Sequence, residues 1–178
     1  MPTSSKDNSN NPYPQKVLCT DISYLWFNYR FAYLSVVKDI ASREIVAWSL
    51  SLTPGLNLVF ETVDDLKQNA HERSWPLENV LLHSDQGSQY THPDYIAEVK
   101  KLKIRRSMSR KSNCIDNAPM ESFFGHLKDE LDYRKCQTFE ELRRLVKEYI
   151  DYYNHHRQQW ELKKMTPVEY RNHLLKNC

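Results

Sequence analysis

From Val17 to Leu52 the chain is a near-continuous run of β-branched, aromatic and other apolar residues, broken only by short polar turns and closed by Pro54-Gly55. Residues of these types fit a pleated, half-buried surface, so strands are expected over 17–27, 31–38 and 44–52. The turn from Asp39 to Arg43 is too short for a crossover, which makes the last two strands antiparallel neighbours in a meander. Behind the Pro-Gly breaker, Val59, Val63, Leu66 and Ala70 recur at helical spacing. The apolar run Val80, Leu81, Leu82 then reads as a buried strand ending at His83-Ser84-Asp85, so a crossover helix and a parallel strand extend the meander.

Pro93 opens a further helix through about Lys101, Ile104 falls in a short strand, and 107–116 reads as loop. The last sixty or so residues are helical in pattern. Asp116 or Asn117 caps a helix with Pro119 in its first turn, and Thr138 with Glu141 and Thr166 with Glu169 have capping-box spacing. Within 139–156, Leu142, Leu145, Val146, Tyr149, Ile150 and Tyr153 share one stripe, the mark of a helix packed on a core. Residues 1–15, rich in Ser, Asn and Pro, are too polar to order themselves and read as a tail or linker remnant. A core over 16–135 and C-terminal helices over 136–178 packed on it complete the expected organisation.

At 178 residues and 40% hydrophobic the chain supports one domain with a sizeable core. A net charge of +2 leaves any affinity for polyanions to local patches. No apolar run is long enough to span a bilayer and the polar start lacks a signal-peptide apolar region, so no membrane partner and a cytoplasmic location are expected. Cys19, Cys114, Cys136 and Cys178 form no CxxC pair and read as reduced thiols.

Against this background three acidic residues stand at the ends of apolar segments: Asp21 in VLCTDISYL, Asp85 in LLHSDQGSQY and Glu121 in DNAPMESFF. Carboxylates are the ligands that Mg²⁺ and Mn²⁺ prefer, and two such ions activate both the attacking and the leaving oxygen of a phosphodiester. Seven basic residues with no acid among them lie between Lys100 and Lys111 and lead toward Glu121. Lys100, Lys103, Arg106, Arg110 and Lys111 are therefore candidate phosphate contacts. If Arg105 and Arg106 lie on a strand they alternate faces, and one of the two reaches DNA. His83, Gly87, Gln89 and Asn117 are candidate supports for the carboxylates, Gly87 through a tight turn or a close backbone approach.

The segments TDISY, DIASREIVAWSLS, LLHSDQGSQYTH, SMSRKSNCIDNAPMESFFGHLKDEL, YNHHR and MTPVEYR stand in an order that closely resembles the catalytic core of bacterial insertion-sequence transposases, the aspartate-aspartate-glutamate class related to retroviral integrase. The resemblance runs from about Asn11 to Arg171. It implies an α/β, ribonuclease H-like fold, with a mixed five-stranded sheet flanked by helices and a helical C-terminal tail. It implies that Asp21, Asp85 and Glu121 are the catalytic triad holding two Mg²⁺ or Mn²⁺ ions, and that Asn113, Asn154 and Arg157 are further candidate DNA contacts. The implied function is cleavage and strand transfer at element ends by a homo-oligomer on DNA, in the bacterial cytoplasm at the nucleoid. An inactive DNA-binding remnant and a ribonuclease H-like nuclease are the alternatives.

Three departures accompany the match: Ser112 stands where glycine is usual, Ala47 replaces a common glycine, and Leu18 occupies a place often held by Trp. Full members carry helix-turn-helix segments upstream, so recognition of element ends is expected from such a segment or from a partner chain.

Overall fold

A computed structural model describes residues 13–109 and 118–177. Arg110, Lys111, Asn113 and Asn117, with Ser112, Cys114 and Cys178, lie outside the described residues. Strands β1 (Val17–Phe27), β2 (Arg30–Asp39) and β3 (Ile45–Ser51) form the expected meander. Helix α1 (Leu56–Glu72) crosses over to β4 (Leu81–Ser84). The short α2 (Ser88–Thr91), α3 (Pro93–Lys101) and β5 (Arg105–Met108) follow, then α4 (Ala118–Glu130), α5 (Phe139–His155) and α6 (Pro167–Lys176).

The five strands run in the order β3-β2-β1-β4-β5, antiparallel among the first three and parallel from β1 through β5. This is the mixed sheet the sequence led us to expect. Two cores follow from strand alternation. On one face Cys19, Leu25 and Phe27 of β1 pack with Met120, Phe123, Phe124 and Leu127 of α4 and with the Leu142–Tyr153 stripe of α5. On the other, Leu18 of β1 and Leu82 of β4 meet Val59, Val63 and Leu66 of α1 and Val99 of α3.

Some boundaries differ from expectation. Gln15, inside the segment expected as tail, is anchored, its N–H donating to Asp39 Oδ1 at 3.2 Å and its carbonyl accepting from Trp75 Nε1 at 3.2 Å. Ser107 and Met108 belong to β5 rather than to a loop. Thr166 and Glu169 form a complete capping box. At Thr138 only half of one forms, because Glu141 turns its carboxylate to the Gln137 N–H.

Asn154 is the clearest correction. Expected to reach DNA, it is 7% exposed, and its amide accepts from Ile45 N and donates to Ile45 O, both at 2.9 Å. It thus pairs with the start of edge strand β3 as a neighbouring strand would, while Asn69 donates to Val46 O and Asp65 accepts from Trp48 N. Side chains close the β3 edge where backbone is otherwise open to pairing. Asn154→Leu, which keeps volume but strands two buried backbone groups, should lower unfolding free energy by about 2–5 kcal/mol. Urea denaturation at fixed pH measures it; a loss under about 0.5 kcal/mol would contradict this role.

Candidate active site

Asp21 and Asp85 come together because of how the sheet is joined. β1 pairs with β2 along its length but with β4 only through Val17–Leu81, Leu18–Leu82 and Cys19–His83. Beyond Cys19 the two parallel neighbours part, with Asp21 just past the split and Asp85 one residue beyond the end of β4. Both line a cavity of about 250 Å³ together with Ser23, Tyr24, Tyr33, Gly87, Gln89 and Tyr90.

The walls of this cavity are fixed by short contacts. Asp85 Oδ1 accepts the Gly87 N–H at 2.8 Å, and Asp21 Oδ1 accepts the Ile22 N–H at 2.8 Å. Gly87 has an ordinary φ of −54°, so its role is the close approach: a Cβ there would sit 2.9 Å from Asp85 Oδ1. Gln89 donates to Pro54 O at 2.8 Å and ties the Asp85 turn to the loop before α1, instead of holding a carboxylate. Tyr90 is buried in the core beside β1, its hydroxyl 3.5 Å from Thr20 Oγ1, and burial holds its pKa well above the ordinary tyrosine value. His83 Nδ1 pairs with Ser107 Oγ at 3.1 Å, bracing β4 against β5.

Glu121 is the fourth residue of α4 and faces outward, while Met120, Phe123 and Phe124 face the core. Among the described residues no three His, Cys, Asp or Glu side chains converge closely enough to hold a metal ion. The structure therefore unites two of the three expected carboxylates and sets the third on the neighbouring helix. The donors at the cavity are carboxylate oxygens, the chemistry of a hard divalent cation, and Asp85 Oδ2 has no protein partner among the described residues.

One residue that the sequence reading passed over positions that helix. Lys38 is 2% exposed, and its ammonium donates to Pro119 O in the first turn of α4 at 2.8 Å. It also lies 5.8 Å from the Tyr153 ring centroid. A lysine following Val36 and Val37 inside a strand run was the available hint, and that pattern does not name its partner.

The basic residues divide. Arg106, expected at DNA, turns inward and donates to Tyr90 O at 2.7 Å, so of the strand pair it is Arg105 that faces solvent. Arg157, also expected at DNA, is committed to Glu130, with Nη2–Oε1 at 2.8 Å and Nε–Oε1 at 3.1 Å. Lys103 is exposed but pairs with Glu78 at 3.2 Å. Lys100 and Arg105 are exposed without a charged partner among the described residues.

The integrase core domain profile matches residues 11–114, and a second profile of the same description matches 121–175. The chain belongs to the integrase core domain family. It is 42% identical over 160 residues to InsK of insertion sequence element IS150 from Escherichia coli K12, covering 89% of this chain and 55% of that protein. It is 41% identical to a transposase-like protein of Haemophilus influenzae, covering 91% and 73% respectively. The transposase InsF of insertion sequence IS3A is 37% identical over 83% of this chain and 51% of its own length. The chain thus spans about half the length of most of these relatives.

Among solved structures the HTLV-2 integrase catalytic core domain, in complex with magnesium, superposes with TM-score 0.65 at 14% identity over 89% of this chain and 97% of that one. A chain of the simian T-cell lymphotropic virus intasome superposes with TM-score 0.71 at 16% identity, covering 90% and 55%. The fold is that of the retroviral integrase cores, ribonuclease H-like as the sequence implied. No described helix is long and apolar enough to cross a membrane.

The buried cation beside α4 has a measurable signature. Burial lowers the Lys38 pKa from 10.5 to about 8; neighbouring Cys19 opposes this, and Arg43 and Arg157 add to it. Between those values the unfolded chain carries the extra proton, so stability rises as pH rises through that window. Burial pushes the Cys19 thiol from 9.0 to about 12, which works the other way as pH approaches and passes 9. From pH 8 to 9 unfolding free energy should therefore rise by about 0.5–1 kcal/mol, and the rise should be lost in Lys38→Met. Urea melts at the two pH values check it.

Proposed function

We propose that the chain is the catalytic core of a bacterial insertion-sequence transposase, cleaving DNA at element ends and joining the freed 3′ hydroxyl to a target strand. The observation that carries this reading is the pair Asp21 and Asp85, 64 residues apart in sequence, lining one cavity at the split between two parallel strands. Asp21 and Asp85, with Glu121 on α4, would hold two Mg²⁺ or Mn²⁺ ions. The ions, when bound, activate the attacking oxygen and stabilise the leaving one. A third carboxylate is tolerated beside the other two only against that positive charge.

The protein's own residues orient the reaction. Gly87 N–H and Ile22 N–H fix one oxygen of each aspartate and so aim the carboxylates into the cavity. Lys38 holds the first turn of α4, two residues before Glu121. Hydrolysis and joining are in-line displacements at phosphorus that differ only in nucleophile, so one set of carboxylates serves both. Exposed Lys100 and Arg105, with Arg110 and Lys111, meet backbone phosphates. Such contacts carry no base information, so recognition of element ends comes from an upstream helix-turn-helix segment or a partner chain, within an oligomer on DNA in the bacterial cytoplasm.

The test is Mn²⁺-dependent nicking and joining of a DNA duplex oligonucleotide, with an RNA–DNA hybrid as comparison. Asp21→Asn, Asp85→Asn and Glu121→Gln should each abolish both steps and leave the fold intact. Millimolar Mn²⁺ should raise the wild-type melting temperature by several degrees and that of Asp85→Asn by less, because binding to the native state alone stabilises it. Undiminished nicking by any variant removes that residue from the site; preference for the hybrid overturns the reading.

Gly87→Ala tests the aim of Asp85 apart from its charge. The added methyl displaces the carboxylate that Gly87 now approaches, and the nicking rate should fall by about 10- to 100-fold with little change in melting temperature. An unchanged rate would show that the close approach does not set the geometry.

A further inference from the structure

The hairpin that carries β1 into β2 presents an aromatic cluster that the carboxylate chemistry does not use. Tyr24, Trp26 and Phe31 are 60%, 45% and 42% exposed. Strand alternation puts Tyr24 and Trp26 on one face, and the antiparallel register sets Phe31 opposite Trp26. The Phe31 ring stands edge-on to both, with centroids 4.6 Å from Trp26 and 5.4 Å from Tyr24. Edge-to-face contacts of this kind hold the rings in a defined arrangement while all three remain wet. Clustered exposed aromatics of this size mark a binding surface more often than bare solvent contact.

Two further observations say what covers them. Tyr24 lines the same cavity as Asp21 and Asp85, so the cluster is continuous with the candidate active site. From Asp21 to Trp26 is about 17 Å of strand, the length of roughly five stacked nucleotides. The hairpin itself brings no negative charge to the cluster: no acidic residue occurs between Asp21 and Asp39, and Lys128 of α4 lies 5.0 Å over the Tyr24 ring. At the turn of the hairpin Arg30 lies 5.2 Å over the Phe27 ring, on the face opposite Tyr24 and Trp26. A two-fold contact between copies would set this patch against itself, cation facing cation with no carboxylate of the hairpin between them. Duplex DNA keeps its base faces stacked inside, whereas unpaired bases offer them to aromatic rings and bring phosphates to neighbouring cations.

We propose that Tyr24, Trp26 and Phe31 form a stacking platform for unpaired DNA bases leading away from the phosphate cut at Asp21 and Asp85, with Lys128 meeting the backbone. The inference rests on the reading that these carboxylates act on DNA. It adds that the strand beside the cut is held single-stranded.

The experiment compares binding of labelled oligothymidylate with binding of an abasic oligonucleotide of equal length, by anisotropy at low salt without divalent metal. No cleavage is required, so a chain that fails to nick DNA still reports on the platform. The wild type should bind oligothymidylate at least tenfold more tightly than the abasic strand. Trp26→Ala and Tyr24→Ala should each erode that preference and together abolish it, while affinity for the abasic strand stays the same and Trp26→Phe keeps most of the preference. Trp26→Leu replaces Trp26→Ala should the latter lose its fold. Equal wild-type affinity for the two strands, or an equal loss on both in the alanine variants, overturns the platform and leaves the nicking activity untouched. Sedimentation showing a wild-type dimer that the double variant dissolves also overturns it, assigning the surface to self-association.

Discussion

The parting of β1 from β4 after Cys19 is the constraint on which the site depends. Up to that residue β1 is paired on both edges and buried on both faces. Past it the strand keeps only β2, and a wedge opens in the middle of the sheet. Asp21 stands at the mouth of the wedge, and Tyr90 and the turn carrying Asp85 and Gly87 line it. A longer pairing with β4 would cover the strand edge and leave no space between the two carboxylates. The same parting frees the outer half of β1 to project its aromatic residues beyond the sheet.

Interior charge holds the surrounding helices. Lys38 ties the first turn of α4 to β2, and Glu44, 1% exposed, receives Arg171 of α6 at 2.7 Å and Arg73 at the end of α1 at 2.9 Å. Each such contact desolvates a charge, which an apolar packing of equal volume would avoid. What charge supplies here is direction: an ammonium bonded to one carbonyl sets the height and rotation of a helix more narrowly than interchangeable methyl groups do. Glu121 rides on the helix fixed in this way.

What was legible in the sequence was local. Pro54-Gly55 ends the meander, Thr166 with Glu169 opens the last helix, and the alternating runs give the strands, because each signal acts within one or two turns of chain. That Asp21 and Asp85 would line one cavity came from the motifs around them, TDISY and HSDQGSQY, rather than from strand patterning, since Asp21 lies within β1 and only Asp85 follows a strand end. Three basic or polar residues were misread for the opposite reason. Asn154, Arg157 and Arg106 look like surface groups, yet their partners Ile45, Glu130 and Tyr90 lie 109, 27 and 16 residues away and only the folded chain reveals them. Lys38 is of the same kind. Nothing in a strand pattern says that a lysine inside it will point at a helix 81 residues further on.

The sealing of β3 by Asn154, Asn69 and Asp65 has a consequence for growth of the sheet. Its five strands have two ends, and at this one Ile45 N and O, Val46 O and Trp48 N, all in the first half of β3, are already occupied. A foreign strand arriving there meets satisfied amides and a carboxylate where it would need free backbone groups. The β5 side carries no such capping among the described residues, so the two ends of the sheet are unequal, and edge-to-edge growth that needs both ends is hindered at this one by a few side chains.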